Sequence, residues 1–425
     1  MGKSKFVASR GTSGLALALA MTSATPAWAA PAPAFGDPVR IADGLTLDPI
    51  IDARVRYEGV DQPTVDADAL TVRLRAGVEL KHAPSHLSVL VEGEGTLGVV
   101  KDYNAFPFAL PGNKQRRTQY AVVADPESID LNRAQIMYKV KDFALTVGRQ
   151  RINLDDQRFV GSVGWRQNEQ TFDAVRAEAK LGPVNFDGTY AIQQDSIFGS
   201  EAGPRRSMDG DFVFLGAWTK LGPVTAKGFA YIIDYDEAFA FPNSSQTYGG
   251  RLAGSFPLSK TVKLNLLASY ARQMNIGQNP ANYAANYVLG EIGLGYRGFT
   301  LTGGYEKLGA DTGAGKAFQT PLATLHKFNG WADLFLTTPG NGLQDYYVSL
   351  AKVFPKVKAV KGLNANVAYH EFHSDVGGVR FGSEWDASLG FKARNVGWLV
   401  KYANYNADTF GVDRQILWLQ AEIAF

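Results

Sequence analysis

The chain has 425 residues, 45% apolar and 20% charged, with abundant Gly and no Cys. The absence of Cys excludes a disulfide framework and thiol chemistry. A formal net charge of +2 gives no global electrostatic case for nucleic acid.

The first elements in chain order are those of export. Lys3, Lys5 and Arg10 form a basic segment without an acid, residues 15–21 are apolar, and Ala27-Trp28-Ala29 fits a small-x-small cleavage site. We read residues 1–29 as a secretory signal, 30–46 as a short lead and 47–425 as one domain. Cutting after Ala29 removes three cations and takes the formal charge from +2 to −1. Beyond the signal no apolar run approaches the roughly 18–20 residues of a membrane helix. An exported chain that alternates throughout and enters lipid without helices must close into a barrel, because backbone polar groups in hydrocarbon have to be satisfied internally.

Alternation is clearest over residues 70–81. Leu70, Val72, Leu74, Ala76, Val78 and Leu80 share one face, and Thr71, Arg73, Arg75, Glu79 and Lys81 the other. The same two-residue period sets Leu47, Pro49, Ile51, Ala53, Val55 and Tyr57 outward, with Asp52, Arg54, Arg56 and Glu58 inward. Leu87, Val89 and Val91 alternate with Glu92 and Glu94, Val262 to Tyr270 with Lys263, Asn265 and Ser269, and Trp385, Ala387 and Leu389 with Glu384 and Asp386. In a barrel the apolar face meets lipid and the charged face lines the lumen. The chain ends on the same pattern, with Leu417, Leu419, Ala421, Ile423 and Phe425 on one face and Trp418, Gln420 and Glu422 on the other. A terminal Phe after such alternation is typical of bacterial outer-membrane barrels.

Short turns fall near 82–85, 141–142, 181–183, 221–223, 257–260, 297–298, 355–362 and 394–397, and longer segments join the other strand ends. Eight short turns and nine longer loops connect eighteen strands, with sixteen as the alternative count. The expected fold is an all-β, antiparallel, up-and-down transmembrane barrel. Tyr57, Tyr138, Tyr190, Trp218, Tyr235, Tyr270, Tyr296, Tyr305, Trp398 and Tyr402 lie near strand ends and are expected in the interface girdles.

Three long connections stand out. Residues 149–173 carry Arg149, Arg151, Arg158 and Arg166 among Asp155, Asp156, Glu169 and Asp173, with Asn153, Gln157, Gln167, Asn168, Gln170 and Trp165. Guanidinium forks bind carboxylates in bidentate fashion, and amides with a Trp suit sugar hydroxyls and ring faces. The segment reads equally as a constriction for a carboxylated sugar and as a loop whose own ion pairs pin it to the wall. Residues 318–339 do not alternate and are expected to form an ordered outer loop packed on itself. Residues 101–128, with Arg116 and Arg117, are expected to act as a lid.

Enzyme constellations are lacking. Of the five histidines only His370 and His373 are close in sequence, and three apart in a strand they face opposite ways. There is no Ser-centred nucleophile motif and no phosphate-cradling glycine loop. Asp155-Asp156 is a weak calcium signal. No cofactor is implied.

The words over 148–173, Gly-Arg-Gln-Arg-Ile-Asn-Leu-Asp-Asp-Gln-Arg-Phe-Val-Gly-Ser-Val-Gly-Trp-Arg-Gln-Asn-Glu-Gln-Thr-Phe-Asp, and over 326–333, His-Lys-Phe-Asn-Gly-Trp-Ala-Asp, resemble the alginate export family of outer-membrane barrels, in its branch not tied to alginate producers. The resemblance runs from about residue 52 to the end. It implies eighteen strands and an arginine-lined constriction that passes an anionic uronate polymer. Arg149 and Arg151 are then the leading constriction candidates, with Arg133 beside them and Arg54, Arg73 and Arg75 supplying charge from the early strands. Glu58, Glu79, Glu92, Glu94, Glu291, Glu306 and Asp345 also face inward by parity. The lumen is therefore mixed rather than simply basic, which argues for a transverse field.

The expected function is a passive outer-membrane channel for anionic or sugar-like solutes, uronate oligomers among them. Its constriction is drawn from Arg54, Arg73, Arg75, Arg133, Arg149, Arg151, Arg158, Arg166, Asp155 and Glu169. A general or phosphate-type anion porin is the alternative within the class, and a barrel enzyme or structural barrel the alternative outside it. Expected partners are outer-membrane lipid, the acidic solute and periplasmic proteins, with the barrel a monomer and no nucleic acid bound.

Overall fold

The computed structural model describes residues 36–355 and 357–425. The expected signal segment, including Ala27-Trp28-Ala29, lies outside the described residues. The strands are β1 (Val39–Ala42), β2 (Leu45–Asp61), β3 (Ala67–His82), β4 (Leu87–Asp102), β5 (Ser128–Val140), β6 (Phe143–Gln150), β7 (Thr171–Leu181), β8 (Val184–Asp195), β9 (Ser207–Leu221), β10 (Val224–Tyr235), β11 (Ser245–Pro257), β12 (Val262–Asn275), β13 (Ala284–Tyr296), β14 (Phe299–Leu308), β15 (Ala310–Asp311), β16 (Lys316–Ala317), β17 (Leu343–Val353), β18 (Lys361–His373), β19 (Arg380–Ala393), β20 (Val396–Ala407) and β21 (Arg414–Ala424).

Eighteen of these form the wall, each antiparallel to the next in sequence. Pairing of β21 with β2, from Asp52↔Ala424 to Asp61↔Gln415, closes the barrel. The short β1 adds to the start of β2, and β15 with β16 makes a two-stranded hairpin within one loop. All eight expected turns are present as strand-to-strand connections, and nine longer segments join the opposite ends.

The alternation fixes which face meets lipid. Val55, Leu74, Val89, Trp385 and Leu419 are exposed on the outside, whereas their neighbours Arg56, Arg73 and Glu384 are fully buried inside. Outward tyrosines near the outer strand ends give their hydroxyls to polar groups further out: Tyr57 to Asp68, Tyr190 to Asp211, Tyr270 to Asn286 and Tyr402 to Gln415. That is the amphipathic arrangement an interface girdle requires. Trp218 and Tyr235 depart from the expected girdle. Both face the lumen: Trp218 lies under the Lys227 ammonium, and Tyr235 is buried and donates to Gln194. On β9 and β10 the inner face is itself apolar, with Phe212, Phe214 and Tyr231 in edge-to-face contacts that Phe172 of β7 joins. Parity alone could not assign a strand with two apolar faces.

The wall is uneven in height. β3 and β4 have 16 residues each and β6 has 8. The chain therefore leaves the wall part-way up β6, at Gln150, and can only run inward. Gly148 eases that exit at φ +111°, where an added Cβ would lie 2.3 Å from the Ala134 carbonyl oxygen.

The other long loops also differ from expectation. Residues 318–339 do not pack on themselves outside the barrel. They enter the lumen and meet the 151–170 segment, with Val160 bridging Leu322 and Gly161 N–H donating to the Leu322 carbonyl. The connection between β4 and β5 is packed rather than a loose lid. Its Tyr103, Phe106 and Val123 are buried, and Arg117 donates to the Lys101 and Tyr103 carbonyls. In each case the reason is the same: apolar and carboxylate groups on the inner wall offer partners that solvent does not.

Candidate solute pathway

The segment 151–170 crosses the lumen and is tied to the wall around most of its circumference. Lys227 on β10 donates to Asp155 at 2.7 Å, and Arg251 on β11 to Asp156 at 2.8 Å. Arg158 donates to Glu306 on β14 at 2.6 Å, and to Thr320 and Asn329 at 3.0 Å each. Arg166 pairs with Glu58 on β2 at 3.1 Å and with Asp333 at 2.7 Å. Glu169 takes Arg75 on β3 at 2.8 Å and also pairs with Arg151. Apolar contact supports the ions, since the Phe159 ring lies 5.2 Å from both Phe229 and Tyr287.

The basic arc of the wall is built on β2 and β3. Arg54 stands directly opposite Arg73 in the register, an arrangement that costs free energy unless acids intervene. They do. Arg73 pairs with Asp52 at 2.5 Å and with Glu422 at 3.2 Å, Arg54 with Glu422 at 3.1 Å, and Arg75 with Glu94. Arg54 also donates to the carbonyls of Gly164, Trp165 and Arg166, and Arg75 to that of Gln167. The arginines thus hold the loop by its backbone as well as through Glu169. Arg133 forms a bidentate pair with Glu92 at 2.7 and 2.9 Å, which Arg151 joins at 3.0 Å. A second arc, on β14, β17 and β19, is acidic, with Glu306, Asp345, Glu384 and Asp386 all buried.

The second inward loop closes onto the first. His326 stacks on Trp165 with ring centroids 4.4 Å apart and 7° between planes. Its Nδ1 lies 2.9 Å from Asp333 and its Nε2 2.6 Å from Lys401 Nζ. A neutral imidazole donating from Nδ1 and accepting at Nε2 satisfies both neighbours. The Lys401 ammonium is 3.7 Å from the Trp331 ring centre and 4.3 Å from that of Trp165, and Arg56 covers Trp165 at 4.0 Å. The Trp331 and Ala332 N–H groups both donate to the Glu384 carboxylate.

Two loop groups are strongly biased. Burial pushes the His326 imidazole down to about 3 against the pull of Asp333. Burial would raise Glu169, but Arg151 and Arg75 outweigh it and hold the carboxyl at about 2.

Of the residues nominated from sequence, Arg54, Arg73, Arg75, Arg133, Arg151, Arg158, Arg166, Asp155 and Glu169 all belong to this inner network. Arg149 does not. It pairs in register with Ala134 and shares the face of Val147 and Ile136, both lipid-exposed. There it binds Asp173 at 2.7 Å and Asp195 at 3.0 Å. Strand parity resolves Arg149 from Arg151 once the end of β6 is known, and sequence alone did not give that end. Asp155 and Asp156 each hold a cation of the wall. Missed residues are Arg56, Lys401, Trp418 and Glu384, all on inward parity. A tryptophan or lysine on a predicted lumen face was the available signal.

A closed antiparallel barrel with a lipid-facing apolar band and a lumen of paired charges is an outer-membrane β-barrel channel. A family model described as alginate export matches residues 50–292, more than half of the chain, and the chain belongs to that family. This places it in the Gram-negative outer membrane, among channels and not among enzymes. Among solved structures it is similar to Acinetobacter baumannii OccAB4, with a TM-score of 0.69 at 13% identity over 89% of this chain and 98% of that one. It is also similar to Pseudomonas aeruginosa OpdK with vanillate (0.67, 14%, 89% and 98%) and to Pseudomonas aeruginosa OpdO (0.66, 14%, 89% and 97%). These likenesses show the fold. No curated protein matches the chain.

Proposed function

We propose that the chain is a passive channel for carboxylated, sugar-like solutes, uronate oligomers among them, whose mid-section is closed by the 151–170 loop in the state described here. The observation that carries this reading is Glu169. Its carboxylate lies against Arg75 and Arg151, beside Arg54 and Arg73, where the solute's carboxylate would bind. Displacing the loop carries Glu169 and Arg151 away from Arg75 and leaves that guanidinium, still paired with Glu94, with an open side for an incoming anion. Asn132, Gln167 and Asn168 stand nearby to meet hydroxyls. The acidic arc on β14, β17 and β19 completes a transverse field that orients a charged solute without trapping it. The family's description as alginate export and the vanillate in one matched structure, a carboxylate, support the same chemistry.

Arg75→Gln leaves Glu94 and Glu169 without their shared cation. The reversal potential under a salt gradient is expected to move several-fold toward cation permeability, with Arg151→Gln shifting it in the same direction. Unchanged selectivity in both variants would remove these arginines from the solute path and leave a general porin as the better reading.

A further inference from the structure

The periplasmic rim of the barrel, marked by the short turns, is charged unevenly. Where β2 to β8 reach it, cations and acids are matched: Lys81 pairs with Asp48 and Glu79, and Arg176 with Glu178. From β9 to β20 that balance is lost. Residues 218–226, 255–266, 294–301, 350–366 and 389–399 hold the short connections of this arc and contain no Asp or Glu. Lys260, Arg297, Lys352, Lys358, Lys361 and Arg394 lie there, and none of them makes an ion pair among the described residues. On β18 and β19, Lys361 stands directly opposite Lys392 in the register. The opposed Arg54 and Arg73 share Glu422. The two lysines have no carboxylate, and like charges so placed cost free energy unless an anion comes from outside the chain.

The cations of this arc stand among lipid-facing groups. Lys352 shares the face of Val348 and Leu350, both exposed on the outside. Its ammonium lies 3.5 Å from the ring centre of Phe299 and 5.8 Å from that of Phe354, and donates to the Arg297 carbonyl at 3.0 Å. Arg297 in turn covers the exposed Tyr296 ring at 5.2 Å. The Val353 N–H donates to the Gly298 carbonyl at 2.8 Å, which braces the two turns side by side. The longer turn exposes Val353, Phe354 and Val357 beside Lys352 and Lys358. Apolar side chains that enter the acyl region, next to cations held at headgroup level, suit an anionic lipid surface. An acidic solute in the lumen does not reach Lys352, and an acidic protein gives no reason for Val353, Phe354 and Val357 to stand bare beside the cations.

We propose that this arc binds anionic phospholipid of the inner leaflet, one phosphate on Lys352 and Arg297 and others on Lys358 and the Lys361–Lys392 pair. The inference is independent of the solute that the channel passes. The test is native mass spectrometry of the full barrel released from micelles that contain equal amounts of phosphatidylglycerol and phosphatidylethanolamine with the same acyl chains. The barrel is expected to retain phosphatidylglycerol in preference, and the preference to fall as salt is raised. Arg297→Gln with Lys352→Gln, and separately Lys358→Gln with Lys361→Gln, are expected to weaken phosphatidylglycerol retention by about fivefold per cation removed. Phosphatidylethanolamine retention should not change. The second pair alters only exposed side chains, so its result does not depend on the bracing of the two turns. Equal retention of the two lipids by the wild-type barrel, or an unaltered preference in both double variants, overturns the site. A loss of anion selectivity in a planar bilayer with the lipid preference intact would assign these cations to the solute path and overturn it as well.

Discussion

Arg158→Ala is expected to raise single-channel conductance several-fold and to lower the barrel's thermal midpoint. Arg158 is 1% exposed and ties the crossing loop to the far wall through Glu306, Thr320 and Asn329. Its loss leaves the Glu306 carboxylate buried without its cation, a defect of about 3–5 kcal/mol when one member of a buried pair is removed. Glu306 keeps hydrogen bonds from Tyr287 at 2.6 Å and Asn329 at 2.7 Å, which places the cost toward the lower end. The released free energy falls on the loop rather than on the β ladder, because the strands retain their own backbone bonds. Arg158→Lys keeps the charge but loses the fork that reaches three acceptors, and should lie between the two. Conductance equal to wild type in Arg158→Ala would show that the loop does not limit the current.

Acidification is expected to loosen the same closure. His326 is neutral when stacked on Trp165, with its folded pKa held at about 3, while in a released loop it titrates near its ordinary 6.5. Between these values the released state binds more protons than the closed one, so the closed state loses stability as pH falls from 6.5 toward 3. Glu169 acts in the same direction. Its depressed value of about 2, against an ordinary 4.5, contributes stability above pH 4.5 that is lost as pH falls toward 2. Asp333, Arg166 and Lys401 surround His326, and protonating the imidazole would set a further cation against the Lys401 ammonium. Conductance measured from pH 7 to pH 4 should therefore rise as pH falls. In His326→Gln the part of the rise between 6.5 and 4.5 should vanish, leaving the Glu169 part below it. A His326→Gln profile identical to wild type would assign the pH response elsewhere.

The wall was largely legible in the sequence. A two-residue period with a charged face marks β2, β3, β4 and β19 without ambiguity, and the turn chemistry places each short connection within a few residues. Eighteen strands follow from counting turns and loops. The inner face of β9 and β10 was not legible, because Phe212, Phe214 and Tyr231 make it as apolar as the outer face. Their reason is tertiary: Phe159 comes from the crossing loop to cover them, 5.2 Å from Phe229 and 5.9 Å from Tyr231. The charged composition of 149–173 left two readings open, a solute constriction or a self-pinned loop. The ion pairs of Asp155, Asp156, Arg158 and Arg166 are those of a pinned loop, and the pinning reaches across the lumen. Arg149 and Arg151 look equivalent in sequence and part company in space, since β6 ends between them.

We propose that a carboxylate-bearing sugar passes where Glu169 now lies, against Arg75. It is tested most directly by single-channel current of the wild-type barrel in a planar bilayer under a salt gradient, with oligogalacturonate or a neutral oligosaccharide of equal length added. The expected result is an anion-selective current that the oligogalacturonate blocks and the neutral sugar does not. A current of no ionic preference that neither sugar blocks would contradict it.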